Sequence, residues 1–250
     1  VPKDVRAKAF MVTRDAGTIA GIVAVESAFR LIDSKLYVHL AHHDGDTVGC
    51  NTRLAMVEGS ARTILAAERV ALNFLGHLSG IATATHALVA AISGTKARIV
   101  CTRKTTPGLR VLEKYAVRCG GGFNHRFGLD DAVLIKDNHI AAAGGITAAM
   151  ERARAGLGHM AKIELEVDTL EQLSEALTLD PDTIMLDNMG IDDLKRAVAM
   201  TAGKVALEAS GNVTIDTVRE IAETGVDYIS SGWITHSAPC LDVGLDFVSE

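Results

Sequence analysis

Lys162-Ile163-Glu164-Leu165-Glu166-Val167 is a six-residue run in which charged and aliphatic side chains alternate without a break. A period of two belongs to a strand, because successive side chains leave a pleated chain on opposite faces. If Ile163, Leu165 and Val167 meet covering helices, then Lys162, Glu164 and Glu166 point into an interior. Desolvating such ions costs several kcal/mol each, so their presence there asks for a reason. A buried ion-pair network is one reason and a functional site is another. The functional reading is preferred because several strand ends share the pattern. Lys162 and Glu164, deeper in the strand, read as structural.

Five further runs resemble this one: 97–102, 132–136, 183–187, 204–209 and 227–231. Their starts lie 21 to 35 residues apart, and helical patterns separate them at 170–177, 191–200 and 215–224. Strands alternating with helices at this spacing predict βα units in a parallel sheet. The run 97–102 leads into Arg103-Lys104 rather than a Gly-rich fingerprint, so a barrel is preferred to an open doubly wound sheet. Residues 1 to about 60 read as a small mixed α/β region, with strand-like stretches at 18–26 and 36–40. Ser60 is placed to cap a helix whose apolar positions Ile64, Ala67, Ala71, Leu75 and Leu78 step by three or four. Gly80 is expected to end that helix, and a second one is expected over 81–92.

The 250 residues suffice for one barrel with a modest extra domain. Cys50, Cys101, Cys119 and Cys240 lack the close spacing of zinc or redox motifs, and no apolar run of membrane-span length is legible. A soluble, cytoplasmic protein is expected, without nucleic-acid or membrane partners. The net charge is -6, yet residues 101–126 hold six basic side chains (Arg103, Lys104, Arg110, Lys114, Arg118, Arg126) against Glu113 alone. That stretch is therefore +5 and the remainder -11, a distribution suited to a small anion rather than a polyanion.

In a barrel of this kind, catalytic groups sit where strands end and βα loops begin. Here those ends read Thr102-Arg103-Lys104, Lys136-Asp137-Asn138-His139, Glu164 with Glu166, Asp187-Asn188, Glu208-Ala209-Ser210-Gly211 and Ser231-Gly232. The glycines of Gly120-Gly121-Gly122 permit close backbone approach ahead of His125-Arg126. Arg offers a planar fork to a carboxylate and Lys a point charge, so a ring bearing two carboxylates would need about this many donors. Arg110, Lys114 and Arg118 recur at helical spacing and read as a solvated face. Ser210-Gly211-Asn212, before a helix expected near Ile215, and Gly232 are candidate phosphate contacts. His39, His42, His43 and Asp44 read as an exposed turn rather than a metal centre.

Taken together, Thr102-Arg103-Lys104-Thr105-Thr106-Pro107-Gly108-Leu109-Arg110, Glu113 to Arg118, Gly120 to Arg126 and Leu134 to His139 resemble quinolinate phosphoribosyltransferase. Glu68-Arg69, Leu72-Asn73, Leu78 to Thr83, Glu164 to Asp168 and Leu186 to Asn188 extend the likeness over nearly the whole chain. The resemblance implies an α/β chain with an N-terminal α/β sandwich, residues 1–70 completed by 238–250, beside an incomplete seven-stranded β/α barrel over 71–237. It implies a homodimer or higher even oligomer in which each sandwich caps the partner's barrel. The implied reaction joins quinolinate to phosphoribosyl pyrophosphate with decarboxylation, giving nicotinate mononucleotide, pyrophosphate and CO2 for NAD synthesis.

By the same resemblance, Thr102, Arg103, Lys104, His125, Arg126 and Lys136 serve substrate binding, with Arg69 reaching in from a neighbouring subunit. Ser210, Gly211, Asn212 and Gly232 would hold the 5-phosphate. Lys104, Lys136, Glu166 and Asp187 would be catalytic, the last two holding Mg2+. Cys101 stands where the family more often has an acid, and Ala209 where it has Ser; neither removes a charged group from this set. Related chains from molybdenum-transport loci keep the Thr-Arg-Lys segment but differ around Lys136. Two other readings are weighed beside this one. Lys136 could be a Schiff-base nucleophile in a barrel lyase or aldolase, or the barrel could bind an anion without turnover.

Overall fold

Each of the six alternating or β-branched runs forms a strand in the computed structural model, which describes residues 1–2 and 4–248. Lys3, Ser249 and Glu250, within the segments read as sandwich, lie outside the described residues. The chain opens with β1 (Arg6–Thr13), β2 (Gly17–Thr18), α1 (Ile22–Ile32), β3 (Tyr37–Leu40), β4 (Thr47–Val48), β5 (Arg53–Ser60) and α2 (Ala61–Ala91). It continues through β6 (Arg98–Val100), α3 (Arg110–Cys119), β7 (Val133–Ile135), α4 (Asp137–Ala143), α5 (Ile146–Gly156) and β8 (Ile163–Val167). Then come α6 (Leu170–Ala176), β9 (Thr183–Asp187), α7 (Ile191–Thr201), β10 (Ala206–Ser210), α8 (Val218–Glu223), β11 (Tyr228–Ser230), α9 (Trp233–His236) and β12 (Val243–Phe247).

Two compact units result, one made of 1–87, 105–122 and 234–250, the other of 88–104 and 123–233. The first is built on an antiparallel sheet in the order β12-β1-β5-β3, so the C-terminal strand returns to pair with the N-terminal one. One face of that sheet packs on α1 and α2, with Met11, Phe29, Leu54, Ile64 and Leu75 all essentially without solvent contact. The stretch 18–26 was expected to be a strand, but from Ile22 onward it is helix α1. Its buried residues Ile22, Val25 and Phe29 follow the three-to-four spacing of a helix face, which outweighs the alternation that suggested a strand.

Helix α2 also differs from expectation, running 31 residues straight through Gly80. A helical glycine costs about 1 kcal/mol against alanine, and the reason for it here is contact. A Cβ at residue 80 would strike the Pro239 carbonyl oxygen and lie 2.9 Å from Cys240 Cα. Although α2 is long and apolar enough to cross a membrane, half of its most apolar window is buried in the fold, as suits a core helix.

The second unit carries a six-stranded parallel sheet, ordered β6-β11-β10-β9-β8-β7. Every strand neighbours the next in sequence except β6 and β7, which are the two edges. Six strands were found where seven were implied, and the two edges do not pair, so closure of a barrel is not seen among the described residues. The segment after α3 lies between those edges. Phe123 bridges Val100 of β6, while the Arg126 guanidinium donates to the carbonyl of Ala132, just before β7, at 3.2 Å. Helices α5 to α8 pack on one another in sequence order, with α6 against β8 and α8 against β11. Leu165 and Leu173 are fully buried there.

Candidate active site

Strand β8 behaves as its alternation requires. Glu164 and Glu166 leave one face and Ile163, Leu165 and Val167 the other. Lys162 is an exception, because the strand begins only at Ile163. Its ammonium lies at the surface, 3.0 Å from Asp182, and does not join the interior charges.

The two glutamates have different partners. Glu166, nearer the C-terminal end, accepts from Lys136 Nζ at 3.0 Å. Burial pushes its carboxyl above the usual range, Lys136 pulls it down, and the negative charges of Asp187 and Asp137 push it up again. Glu164 accepts from His125 Nε2 at 2.6 Å. Glu208 of β10, buried behind them, has an oxygen 3.9 Å from the same nitrogen. Its carboxyl is pushed up to about 8, first by burial and then by the charge of Glu164.

The cations come from the strand ends. Arg103 and Lys104 follow β6, where Thr102 Oγ1 accepts from the Lys104 backbone N–H at 3.0 Å and so shapes the turn. Arg126 is held below the ordinary guanidinium range by burial and by the positive charge of Arg103. Those two cations therefore sit close together in a place that water only partly reaches. Lys136 precedes α4, its N–H donating to His139 Nδ1 at 3.0 Å in a capping arrangement. Asp187 ends β9, and Asn188 beside it donates to its carboxylate at 2.7 Å.

Ser210, Gly211 and Asn212 leave β10 in a tight turn, with φ of +100° at Gly211 and +49° at Asn212. A Cβ at Gly211 would strike the side chain of Asn188, so the close approach requires glycine. Helix α8 starts only at Val218, later than expected, so this turn does not lead directly into a helix N-terminus. Gly232 immediately precedes α9. Thr102, Arg103, Lys104, His125, Arg126, Lys136, Glu166, Asp187, Ser210, Gly211, Asn212 and Gly232 all belong to the second unit, whereas Arg69 lies on α2 in the first. The Arg69 side chain is 76% exposed and touches Glu68.

Some readings need correction. The close backbone approach expected at the glycines before His125 is seen at Gly120 and Gly122. A Cβ at Gly120 would strike the Ala82 carbonyl, and one at Gly122 would lie 2.7 Å from Thr85 Cγ2, so they let this segment press against α2. Lys114, read as part of a solvated face, is fully buried with its neighbour Glu113. Glu113 accepts from His77 at 2.8 Å and from the Thr106 N–H at 3.1 Å. Glu208 was named at its strand end without a role, although its position two residues before Ser210 puts it on the same face of β10. The His42–Asp46 region is the turn expected, with Asp46 accepting from the His43 N–H.

Known proteins resemble this chain in both of its halves. Residues 1–79 match the N-terminal domain of quinolinate phosphoribosyl transferase and residues 81–246 its C-terminal domain. A probable carboxylating nicotinate-nucleotide pyrophosphorylase of Bacillus subtilis is 44% identical over 239 residues, spanning 96% of this chain and 83% of that protein. The solved nicotinate-nucleotide pyrophosphorylase of Ehrlichia chaffeensis superposes with a TM-score of 0.95 at 45% identity, covering 98% of this chain and 89% of that one. That of Francisella tularensis gives 0.95 at 42%, covering 99% and 88%. With both halves of the chain matched and the cationic strand ends in place, this protein belongs to the quinolinate phosphoribosyltransferase family, whose decarboxylating reaction feeds NAD synthesis.

Proposed function

We propose that the second unit binds quinolinate through Arg103, Lys104, Arg126 and Lys136, and that it transfers a phosphoribosyl group to the ring nitrogen. The observation that carries this is the adjacency of Arg103 and Arg126. Two guanidinium groups, both only partly exposed, offer planar forks that a dicarboxylate meets bidentately. Ser210, Gly211, Asn212 and Gly232 are the groups for the 5-phosphate, where the positive-φ turn exposes backbone N–H groups.

Glu166 and Asp187 suit a hard divalent cation. Both offer carboxylate oxygens, and Glu166 is buried and already raised by neighbouring negative charge, a cost that a bound cation relieves. Mg2+ held there would supply charge neutralisation for the departing pyrophosphate. The chain's own groups do the rest. Lys136 and Lys104 hold the anionic partners in line, and the arginines hold the ring carboxylates while its nitrogen attacks the sugar carbon. Once alkylated, the nitrogen is cationic and stabilises the carbanion left as CO2 departs; that carbon then takes a proton from water, so no base is needed to abstract one.

The incomplete β/α barrel is the reading we adopt for this unit. It is supported by the sequential strand order and by residues 123–126 lying between the two edge strands. A homodimer or higher even oligomer in which Arg69 serves a second copy is supported by the exposure of that side chain on α2. A cytoplasmic setting fits the four cysteines, which are all free. The ion pair of Lys136 with Glu166 favours a charge-binding role for this lysine over imine formation.

The reaction is tested by following nicotinate mononucleotide and pyrophosphate from quinolinate and phosphoribosyl pyrophosphate, with and without Mg2+. Formation of both products only with the metal is expected. Quinolinate binding without turnover under any metal condition would defeat the reading.

A further inference from the structure

Asn188 takes a left-handed conformation, with φ of +54°, directly after Asp187 ends β9. Asparagine tolerates that region better than most side chains do, and turns often use it so. A turn alone would be served as well by glycine, whereas this side chain is engaged on two sides. Its Nδ2 donates to the Asp187 carboxylate at 2.7 Å. Only the amino end of the amide can donate there, so the oxygen end faces away from Asp187. That oxygen fills the space a Cβ of Gly211 would need, and Asn188 Cγ lies 2.7 Å from the same point. The backbone adds a third contact, because the Asn188 N–H donates to the Ser210 carbonyl at 2.9 Å. This bond continues the β9–β10 ladder one step past the pairing of Asp187 with Ser210.

These contacts join two groups that the proposed reaction uses separately. Asp187 belongs with the cation and the departing pyrophosphate, whereas Ser210, Gly211 and Asn212 belong with the 5-phosphate. We propose that Asn188 is a positioning residue that locks the Asp187 carboxylate to the 210–212 turn, so that one side chain sets the spacing between the two ends of phosphoribosyl pyrophosphate. A sparsely populated backbone conformation persists where surrounding contacts over-determine it, and here the amide, the packing on Gly211 and the N–H all do so. Glycine at 211 is the matching half of the device, since a side chain there would push the amide off the turn. The inference deepens the phosphoribosyl-transfer reading and rests on it.

Two half-ligands test it without turnover. Ribose 5-phosphate in metal-free buffer reports on the turn, inorganic pyrophosphate with Mg2+ reports on the Asp187 end, and quinolinate alone is the control. N188G keeps the left-handed backbone without strain and loses only the amide. In titration calorimetry it should bind both half-ligands about tenfold more weakly, the lower end of the range for removing a partner that orients a metal-binding carboxylate, with quinolinate within about twofold. N188A removes the same amide but puts a Cβ on the left-handed backbone. It should unfold at lower urea than N188G and yet match it in both binding losses. Weakening of only one half-ligand would confine Asn188 to one group and overturn the proposal, as would unchanged binding of both. Equal weakening of all three ligands, or far larger losses in N188A than in N188G, would make general damage or the backbone responsible and would overturn it too. An unsubstituted protein that binds quinolinate but neither half-ligand would defeat the phosphoribosyl assignments and this inference with them, a result distinct from a protein that binds both and ignores the substitution.

Discussion

Glu164 and Glu166 stand two residues apart on the same face of one strand, yet they occupy different chemical settings. Glu166, nearer the strand's C-terminal end, has a half-exposed lysine as partner and two further carboxylates nearby. Glu164 lies deeper, against a mostly buried imidazole and the nearly sealed Glu208. The outer pair keeps charge where a polar ligand can reach it. The inner group spends its charge on holding another side chain in place. A single pleat step of β8 therefore separates a group suited to chemistry from one suited to orientation.

The largest expected effect comes from the outer pair. Lys136→Ala should lower kcat/KM for quinolinate by about 10- to 150-fold, the range for losing a charge-assisted hydrogen bond worth roughly 1.5–3 kcal/mol. Without the lysine that now pulls it down, the Glu166 carboxyl should rise further. The acid limb of the pH–rate profile should then move to higher pH. An unchanged acid limb with full kcat/KM would erase the distinction between the two glutamates.

Glu208, buried beside the inner group, should show itself in stability. Because burial holds the Glu208 carboxyl at about 8, the folded protein keeps a proton that the unfolded chain releases near 4.5. Stability from this group is complete below the unfolded value and declines as pH rises to about 8. Glu208→Gln should flatten the decline, which urea midpoints at pH 6 and 8.5 would reveal. Equal slopes in both proteins would mean that Glu208 is ionised in the fold.

Lys162→Ala gives the smallest effect. Its surface pair with Asp182 is the kind that contributes about 1 kcal/mol or less, and activity should stay within roughly twofold. A large loss of activity would return Lys162 to the interior where its alternation had first put it.

How far such features could be read in advance follows from range. The β-strands of the second unit were legible because each is a short local pattern, and the observed ends fall within about two residues of the expected ones, the usual latitude for such boundaries. Helix α1 was misread because a short alternating stretch is compatible with both states, and only burial of Ile22, Val25 and Phe29 selects the helix. Gly80 looked like a terminator, because the chain 160 residues later that presses on it leaves no local mark. The cationic strand ends were visible as residue types, but the proximity of Arg103 to Arg126 was not.

By itself, the sequence determined the alternation of β8, the order of βα units, the basic segment from Arg103 to Arg126 and the family those motifs belong to. All of these depend on neighbours a few residues apart or on the identity of the side chains. The tertiary structure decided that Lys114 is buried, that Gly120 and Gly122 pack closely against α2, and that Glu208 lies near His125. Such outcomes depend on which distant groups share a small desolvated space, where the cost of an unpartnered charge or donor selects the partner.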